Sequence, residues 1–410
     1  MNGELVEHIK DILTLRDEFA TISHIMPNSR SRNGLPSGES LRESMKIWAR
    51  WIITHRSLCS QRSIYLPDDD VQDPQIIREL QDKGSSTLNA RYTYKWLLDR
   101  CRRINNRYVL TGTYSTSCEG GYHGKISVER EVTKYNVLLS CRDSGALDSD
   151  AHNAHNAHDA DADADADLEF DGLSLTQVIP LQVYNKMCRM VNTDACFPHM
   201  IDNFIWLCST LYSLLDGKGL QWAVPPKVMK VFQRELGCYT ELFASPLNTF
   251  NNSYYSLFPV DSIFSSKGNF FHAKNKDFQS GVFQVNPPFI DPLFTKTTER
   301  ILELLEIADE AGKDLTFIYV MPEWKDFTTY AMVSEARFCV RQIHLLPGQH
   351  SYYQYSTDNY IKARFGTHII FLSTDMNCCS NSLEYEIREA FQGRETYPYH
   401  GLVAGRRRYP

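Results

Sequence analysis

Several signals are missing from this 410-residue sequence. No apolar run approaches the roughly eighteen residues that a membrane-spanning helix needs. The first residues, MNGELVEHIKDILTLRDEF, carry charges throughout and lack the apolar block of a secretory leader. No membrane association is expected. The eleven cysteines are an odd number, show no CxxC spacing, and include one adjacent pair, Cys378 and Cys379, with no second pair at metal-site distance. That pattern predicts reduced thiols rather than a disulfide framework, and no metal. Excess positive charge is missing too. The net charge is -7, but residues 148–167 hold seven aspartates and no Lys or Arg, so the remainder is balanced. A nucleic-acid partner would then need a local basic groove rather than a basic chain.

Hydrophobic periodicity divides the rest. Residues 1 to about 110 read as helical, with LRESMKIWARWIITH and YTYKWLLDRCRRI at near-helical spacing. Arg100, Arg102, Arg103 and Arg107 cluster there, either as a solvated face or as an RNA-backbone surface. Residues 111–141 look strand-like. The tract SDAHNAHNAHDADADADADLEF cannot bury enough apolar surface to offset its ordering entropy and reads as a disordered linker. Helical patterning resumes at LSLTQVIPLQVYNKMCRMV, at MIDNFIWLCSTLYSLLDG, and after Pro225-Pro226. Beyond that, CYTELFASPL, GVFQVNPPF, DLTFIYVMPEW, RQIHLLP and THIIFLST alternate with helix, notably PLFTKTTERILELLEIADEAG. This alternation predicts a doubly wound α/β sheet with ligands at the carboxyl ends of its strands.

Asn286-Pro287-Pro288-Phe289 falls directly after one of those strands and before a helix. It is either a rigid turn or a site for chemistry on an exocyclic amine. Such a nitrogen is a poor nucleophile because its lone pair is delocalised into the ring. Two acceptors aimed at its N–H groups favour a more tetrahedral, reactive nitrogen. The Asn286 side-chain oxygen and the Pro287 carbonyl can be those acceptors, the latter held by the fixed φ of Pro288. The Phe289 ring can stack on the base. This is catalysis by orientation and preorganised electrostatics, without metal or covalent intermediate.

With ELFASPLN, FPVDSIFSSKG, VFQVNPPF, FIYVMPEW, LLPGQHSYY and YIKARFGTHIIFL in this order, residues 173 to 375 resemble the phosphorylated-CTD-interacting factor family of cap-specific adenosine-N6 methyltransferases. The resemblance implies transfer of a methyl group from S-adenosylmethionine to the 2′-O-methylated adenosine next to a 7-methylguanosine cap. It makes Asn286, Pro287, Pro288 and Phe289 catalytic. FASPLN stands where many methyltransferases carry a glycine-rich loop. The family shares this form, so Ala244, Ser245, Pro246 and Asn248, with Asn286, are the expected cofactor cradle. Asp261 is a ribose-hydroxyl partner by resemblance, or a turn cap by its Asp-Ser context. Asp291, Glu323, Trp324, His350, Tyr352 and Lys362 match family positions expected around the base and the cap-proximal phosphates. Read from the residues alone, Trp324 can equally be core, His350 a buried histidine, and Lys362 and Arg364 plain surface charges.

The expected fold is therefore α/β: a Rossmann-like class I methyltransferase domain after a mainly helical one. The divisions are 1–145 helical, 146–167 linker, 168–240 a helical lead-in, 241–376 the methyltransferase core and 377–410 a tail. The family's WW domain is expected to be missing, since no paired-tryptophan module is visible. Recruitment to RNA polymerase II would then lose its usual basis. The expected partner is capped RNA beginning with adenosine, acted on by a monomer, in the nucleus or the cytoplasm, the resemblance favouring the nucleus. Alternatives are an adenine-N6 methyltransferase acting on DNA or internal RNA, and a catalytically silent RNA- or protein-binding homologue.

Overall fold

A computed structural model describes residues 3–23, 38–58, 65–67, 73–107, 127–142, 176–191, 200–215, 220–324 and 329–392. The low-complexity tract expected as a linker and the terminal GRRRYP lie outside these residues. Among the described residues no helix is long and apolar enough to cross a membrane, and the seven cysteines whose side chains are described form no disulfide.

The N-terminal part is helical, as its periodicity predicts. It comprises α1 (Gly3–Ile22), α2 (Gly38–Leu58), α3 (Pro74–Asp82) and α4 (Thr87–Arg107). Apolar residues three and four apart, such as Ile47, Trp48, Trp51 and Ile52 on α2, turn one face inward. The arginine cluster of α4 is partly engaged: Arg100 pairs with Glu18 and Arg102 with Asp99.

A small antiparallel sheet follows, built from β1 (Ser127–Val132), β2 (Asn136–Arg142) and β3 (Thr176–Pro180) in that order. β3 corrects the expectation that LSLTQVIPLQVYNKMCRMV is helical from its start. TQVIP pairs with β2 in register, Ile179 opposite Val137, and only after Pro180 does the helix α5 (Leu181–Met190) begin. α6 (Ile201–Ser213) and α7 (Pro226–Leu236) complete the lead-in. α7 starts on a proline, whose missing N–H is no loss in a first turn. It ends at Gly237 (φ 65°), where the left-handed turn lets the N–H groups of Gly237 and Cys238 return to Gln233 and Phe232.

The central sheet has six strands: β4 (Thr240–Glu241), β5 (Ser253–Tyr254), β6 (Gly281–Val285), β7 (Leu315–Pro322), β8 (Cys339–Leu345) and β11 (Thr367–Ser373). Their order is β5-β4-β6-β7-β11-β8. The first four are parallel, whereas β11 runs antiparallel to both its neighbours. The fold is thus mixed α/β with a mixed sheet. Every residue of β7 is buried, which explains its unbroken apolar run, since a central strand has no face turned to water. β9 (Ser351–Gln354) and β10 (Asn359–Lys362) form a separate hairpin between β8 and β11.

Helix α8 (Asp291–Glu310) buries Phe294, Thr298, Ile301, Leu305 and Ala308 against this sheet, at the expected helical interval. A short α9 (Thr329–Ser334) follows β7, and α10 (Asn381–Gln392) closes the described chain. α10 corrects the expectation that residues 377–410 are a tail. Leu383, Ile387, Ala390 and Phe391 recur at helical spacing and are all buried in the core of the sheet.

Candidate active site

The chain leaves β4 for β5 on one side and returns across it to β6 on the other. Loops diverge at such a switch point and leave a crevice beyond the carboxyl ends of the strands. Here the crevice is an open cleft. Ala244, Ser245 and Asn248 line it from the loop after β4, and Asn286 and Pro288 from the loop after β6. Two expected neighbours, Pro246 and Pro287, are buried and stand outside the lining.

Side chains replace glycines in shaping the first loop. The Glu241 carboxylate, buried at the end of β4, accepts from Thr249 Oγ1 (2.6 Å) and from the N–H groups of Phe250 and Asn251 (both 2.8 Å). Burial raises its pKa against the pull of these bonds and of Lys186. Lys186 reaches across from α5 and donates to the carbonyls of Leu247 and Thr249, each at 2.9 Å. Its burial pushes the ammonium pKa down to about 7. Within the loop, Asn248 Oδ1 accepts from both the N–H and the hydroxyl of Ser245, and Asn248 Nδ2 donates to the Gln221 carbonyl. Charged and amide side chains thus hold a turn that a glycine-rich sequence would make by backbone freedom.

The Asn286 amide is oriented by one bond. Its Nδ2 donates to the Trp222 carbonyl at 2.8 Å, which turns Oδ1 the other way. That oxygen is buried and has no hydrogen-bond partner among the described residues. Gln221 repeats the arrangement: Nε2 donates to the Tyr212 carbonyl at 2.8 Å, and the buried Oε1 has no partner. Both side chains line the cleft. A buried acceptor left bare costs about 1–3 kcal/mol, so two of them in one cleft mark where a ligand donor fits.

Phe289 is not in the cleft lining. It is 9% exposed and sits among Trp324, Tyr352 and Phe365, nearly perpendicular to each at centroid distances of 5.7, 5.7 and 5.9 Å. Trp222 stacks on Tyr352 and Phe365 from the cleft side. Trp324 is the open member of the group, 38% exposed. The surfaces available to a flat base are therefore those of Trp222 and Trp324 more than that of Phe289.

Several expected contacts prove internal. Asp261 is fully buried and does not line the cleft. It accepts from Tyr212 Oη (2.7 Å) and from the Phe258 N–H (3.3 Å), and caps its own turn, Pro259–Phe264. Tyr212 and Ser256 stand between it and the cleft, and both bond to it, so it acts behind the wall. Burial raises its pKa to about 6. His350 is also buried. Its Nδ1 meets the Leu346 carbonyl at 3.1 Å and its Nε2 meets Thr367 Oγ1 at 2.7 Å. Tyr352 bonds the same Thr367 hydroxyl at 2.9 Å. With Nδ1 donating to the carbonyl, the relay runs Tyr352, Thr367, His350, and no polar atom of it is spare for a phosphate. Burial holds the His350 imidazole below its ordinary range, in the neutral form this relay needs. Asp291 opens α8 with one carboxylate oxygen buried and unpartnered among the described residues, and desolvation raises its pKa. Glu323 lies next to Trp324 but pairs with His344 at 3.0 Å. Lys362 is exposed on the hairpin.

Other lining residues escaped the sequence reading. Gln221 and Trp222 precede α7, and their only signal was a polar-aromatic pair ahead of Pro225-Pro226. Ile53 and Ser57 come from the end of α2, some two hundred residues away, and no local pattern marks them. Asn269 joins that helix end to the site by donating to the carbonyls of Arg56 and Ser57, both at 3.1 Å.

Comparison with known proteins adds to this geometry. A family model described as the phosphorylated CTD interacting factor 1 WW domain matches residues 182–355. Residues 182–355 are thus similar to the phosphorylated CTD interacting factor family. The human protein named mRNA (2′-O-methyladenosine-N(6)-)-methyltransferase is 34% identical over 199 residues, covering 44% of this chain and 27% of that protein. The mouse protein of the same name is 34% identical over 196 residues, covering 44% of this chain and 26% of its own length. The chain thus spans about a quarter of the curated relatives it matches. The description of the matching model also corrects the expectation that the family's WW-domain region is missing. That expectation looked for a compact paired-tryptophan module, whereas the described residues of the match form α5 to α9 and β4 to β9.

Proposed function

We propose that this chain is a Rossmann-like class I methyltransferase that uses S-adenosylmethionine to methylate N6 of a 2′-O-methyladenosine next to an mRNA cap. The observation that carries the reading is the Asn286 amide, pinned through Nδ2 and presenting a buried, unpartnered Oδ1 at the switch-point cleft. Five strands of one direction, with β11 inserted antiparallel between β7 and β8, suit such a domain.

The residues present fit the cofactor. The loop from Phe243 to Asn248 and the Gln221 oxygen offer hydrogen-bonding and van der Waals surface for a nucleoside. Among the described residues the lining has no charged side chain, but Tyr212, Trp222, Phe243 and Phe270 contribute to it, and aromatic faces attract a cation. When bound, S-adenosylmethionine supplies an electrophilic sulfonium methyl group. Asn286 Oδ1 and the Pro287 carbonyl accept from the two N–H groups of the adenine amine and localise its lone pair toward the methyl. Because the Asn286 acceptor is fixed by its bond to Trp222 before the substrate arrives, little reorganisation accompanies the transition state. Trp222 and Trp324 hold the plane of the base; Phe289 braces Trp324 directly and Trp222 through Tyr352 and Phe365. A nucleotide beside a cap is already unpaired, so its base reaches the cleft without the cost of flipping out of a duplex. Nuclear location, action as a monomer and recruitment through a phosphorylated polymerase tail complete the proposal.

The test compares labelled methyl transfer to capped RNA starting with adenosine, capped RNA starting with guanosine, uncapped RNA and duplex DNA. Transfer is expected to the first substrate and to little else. Equal reaction of capped and uncapped RNA would remove the cap from the proposal, and reaction with duplex DNA alone would replace the substrate class.

A further inference from the structure

A second group of reactive side chains lies away from the cleft lining. Glu323 follows the end of β7, His344 is on β8 and His368 is on β11. β11 runs between the other two strands, and His368 stands directly opposite His344 in the register, which places both side chains on one face. The two imidazoles stack with centroids 4.7 Å apart and planes 16° from parallel. The Glu323 N–H donates to the Gly366 carbonyl at 2.7 Å, which brings the carboxylate to the same place, 3.0 Å from His344 Nε2. One ligand atom from each of the three residues lies within 4.8 Å of the others. The backbone is cut away to admit this arrangement: a Cβ on Gly366 would fall 2.0 Å from Glu323 Oε2 and 2.9 Å from His344 Nε2.

We propose that Glu323, His344 and His368 bind a divalent transition-metal ion of the zinc class. Two imidazole nitrogens and one carboxylate oxygen form a donor set suited to zinc, and three protein ligands leave a fourth position for water. Imidazole ligands disfavour magnesium, which demands oxygen donors and keeps its own waters. An ion pair between Glu323 and His344 accounts for two of the three residues, whereas a metal accounts for all three. Ligand bonds of roughly 2.0–2.2 Å require the donor atoms to draw together on binding, and exposed Glu323 has the freedom to do so. The ion would tie the end of β7 to β8 and β11. Trp324 follows one ligand and Phe365 precedes the glycine that makes room for it, and both rings contact Phe289. The metal is thus placed to stiffen the aromatic rim without touching the reacting atoms. The inference does not depend on the methyl-transfer reading.

The test titrates zinc into the full chain by calorimetry and follows its thermal melting with and without chelator. His152, His155 and His158 could bind zinc independently, so the background is the H152A/H155A/H158A variant. In that background one ion per chain is expected, with a zinc-dependent rise in melting midpoint and no response to magnesium. H344A and H368A are each expected to weaken binding by more than the roughly 10–100-fold typical of losing a mere outer-shell partner. The exposed-side variants E323Q and H344Q serve if H368A does not fold, and they too should abolish the melting shift. Zinc binding of unchanged stoichiometry and affinity in these variants, or no zinc binding in the background chain, would overturn the proposal.

Discussion

Replacing Asn286 by alanine separates a catalytic role from a structural one. In the folded chain the amide makes one bond, to the Trp222 carbonyl at 2.8 Å, and keeps one buried oxygen without a partner. The bond contributes about 1 kcal/mol, and the bare oxygen costs about 1–3 kcal/mol. Truncation removes both and lets water from the cleft reach the Trp222 carbonyl. The net change in stability is expected to stay within about 1 kcal/mol of zero, a shift of no more than roughly 2–3 °C in melting midpoint for a chain of this size. The rate should behave differently. Losing one preorganised hydrogen bond to the reacting group typically lowers kcat by about 10²–10³. Asn286→Asp provides the contrast, because it sets a carboxylate oxygen against the Trp222 carbonyl where a donor stood, and it should melt lower as well as react slowly. Single-turnover transfer to capped adenosine-start RNA, with calorimetric melting of the same samples, measures both quantities. An Asn286→Ala protein that reacts within tenfold of the parent, or whose loss of rate merely follows unfolding, would refute the reasoning.

Three further variants test the same structure. Trp324→Ala removes an exposed face that touches Phe289; KM for capped RNA should rise by the equivalent of about 1–3 kcal/mol of stacking, with little change in melting, and an unchanged KM would take Trp324 out of the site. Asp261→Asn should leave donor affinity, measured by calorimetry, within a few-fold of the parent, because the carboxyl lies behind Tyr212 and Ser256; a loss of a hundredfold or more would restore it as a direct contact. The same variant has a pH signature. Burial raises the Asp261 pKa from 3.8 to about 6 in the folded chain. The native state therefore binds the proton more tightly, and its contribution is full below pH 3.8 and falls by about 3 kcal/mol as pH rises through 6. Urea titrations from pH 4 to 7 should show a smaller decline for Asp261→Asn than for the parent, and parallel curves would contradict the assignment. Truncation at residue 380 removes α10 with Leu383, Ile387 and Phe391, each worth about 1.5–3 kcal/mol on burial. The shortened chain should lose roughly 5 kcal/mol or more and its cooperative melting, and an unchanged transition would show that α10 is dispensable.

By itself the sequence determined the elements that carry a strong period and the motif that joins two of them. LTFIYVMP had to be a buried strand, the residues after Asp291-Pro292 an amphipathic helix, and Asn286 to Phe289 a rigid corner between strand and helix, because these follow from side-chain spacing and the fixed φ of proline. The Asn286 acceptor was legible on the same grounds, since the chemistry of an aromatic amine asks for one. Tertiary structure decided which candidates share a cleft. Asp261 and His350 each had two readings, ligand contact or internal group, and folding decided between them by bringing partners near: Tyr212 and the Phe258 N–H for one, Leu346 and Thr367 for the other. Ile53, Ser57, Gln221 and Trp222 join the cleft from distant segments, as do the histidines of β8 and β11 that meet beside Glu323. A hydrogen bond or a ligand set depends on positions in space to within a fraction of an ångström. Local pattern fixes only the direction in which a side chain leaves its own strand or helix.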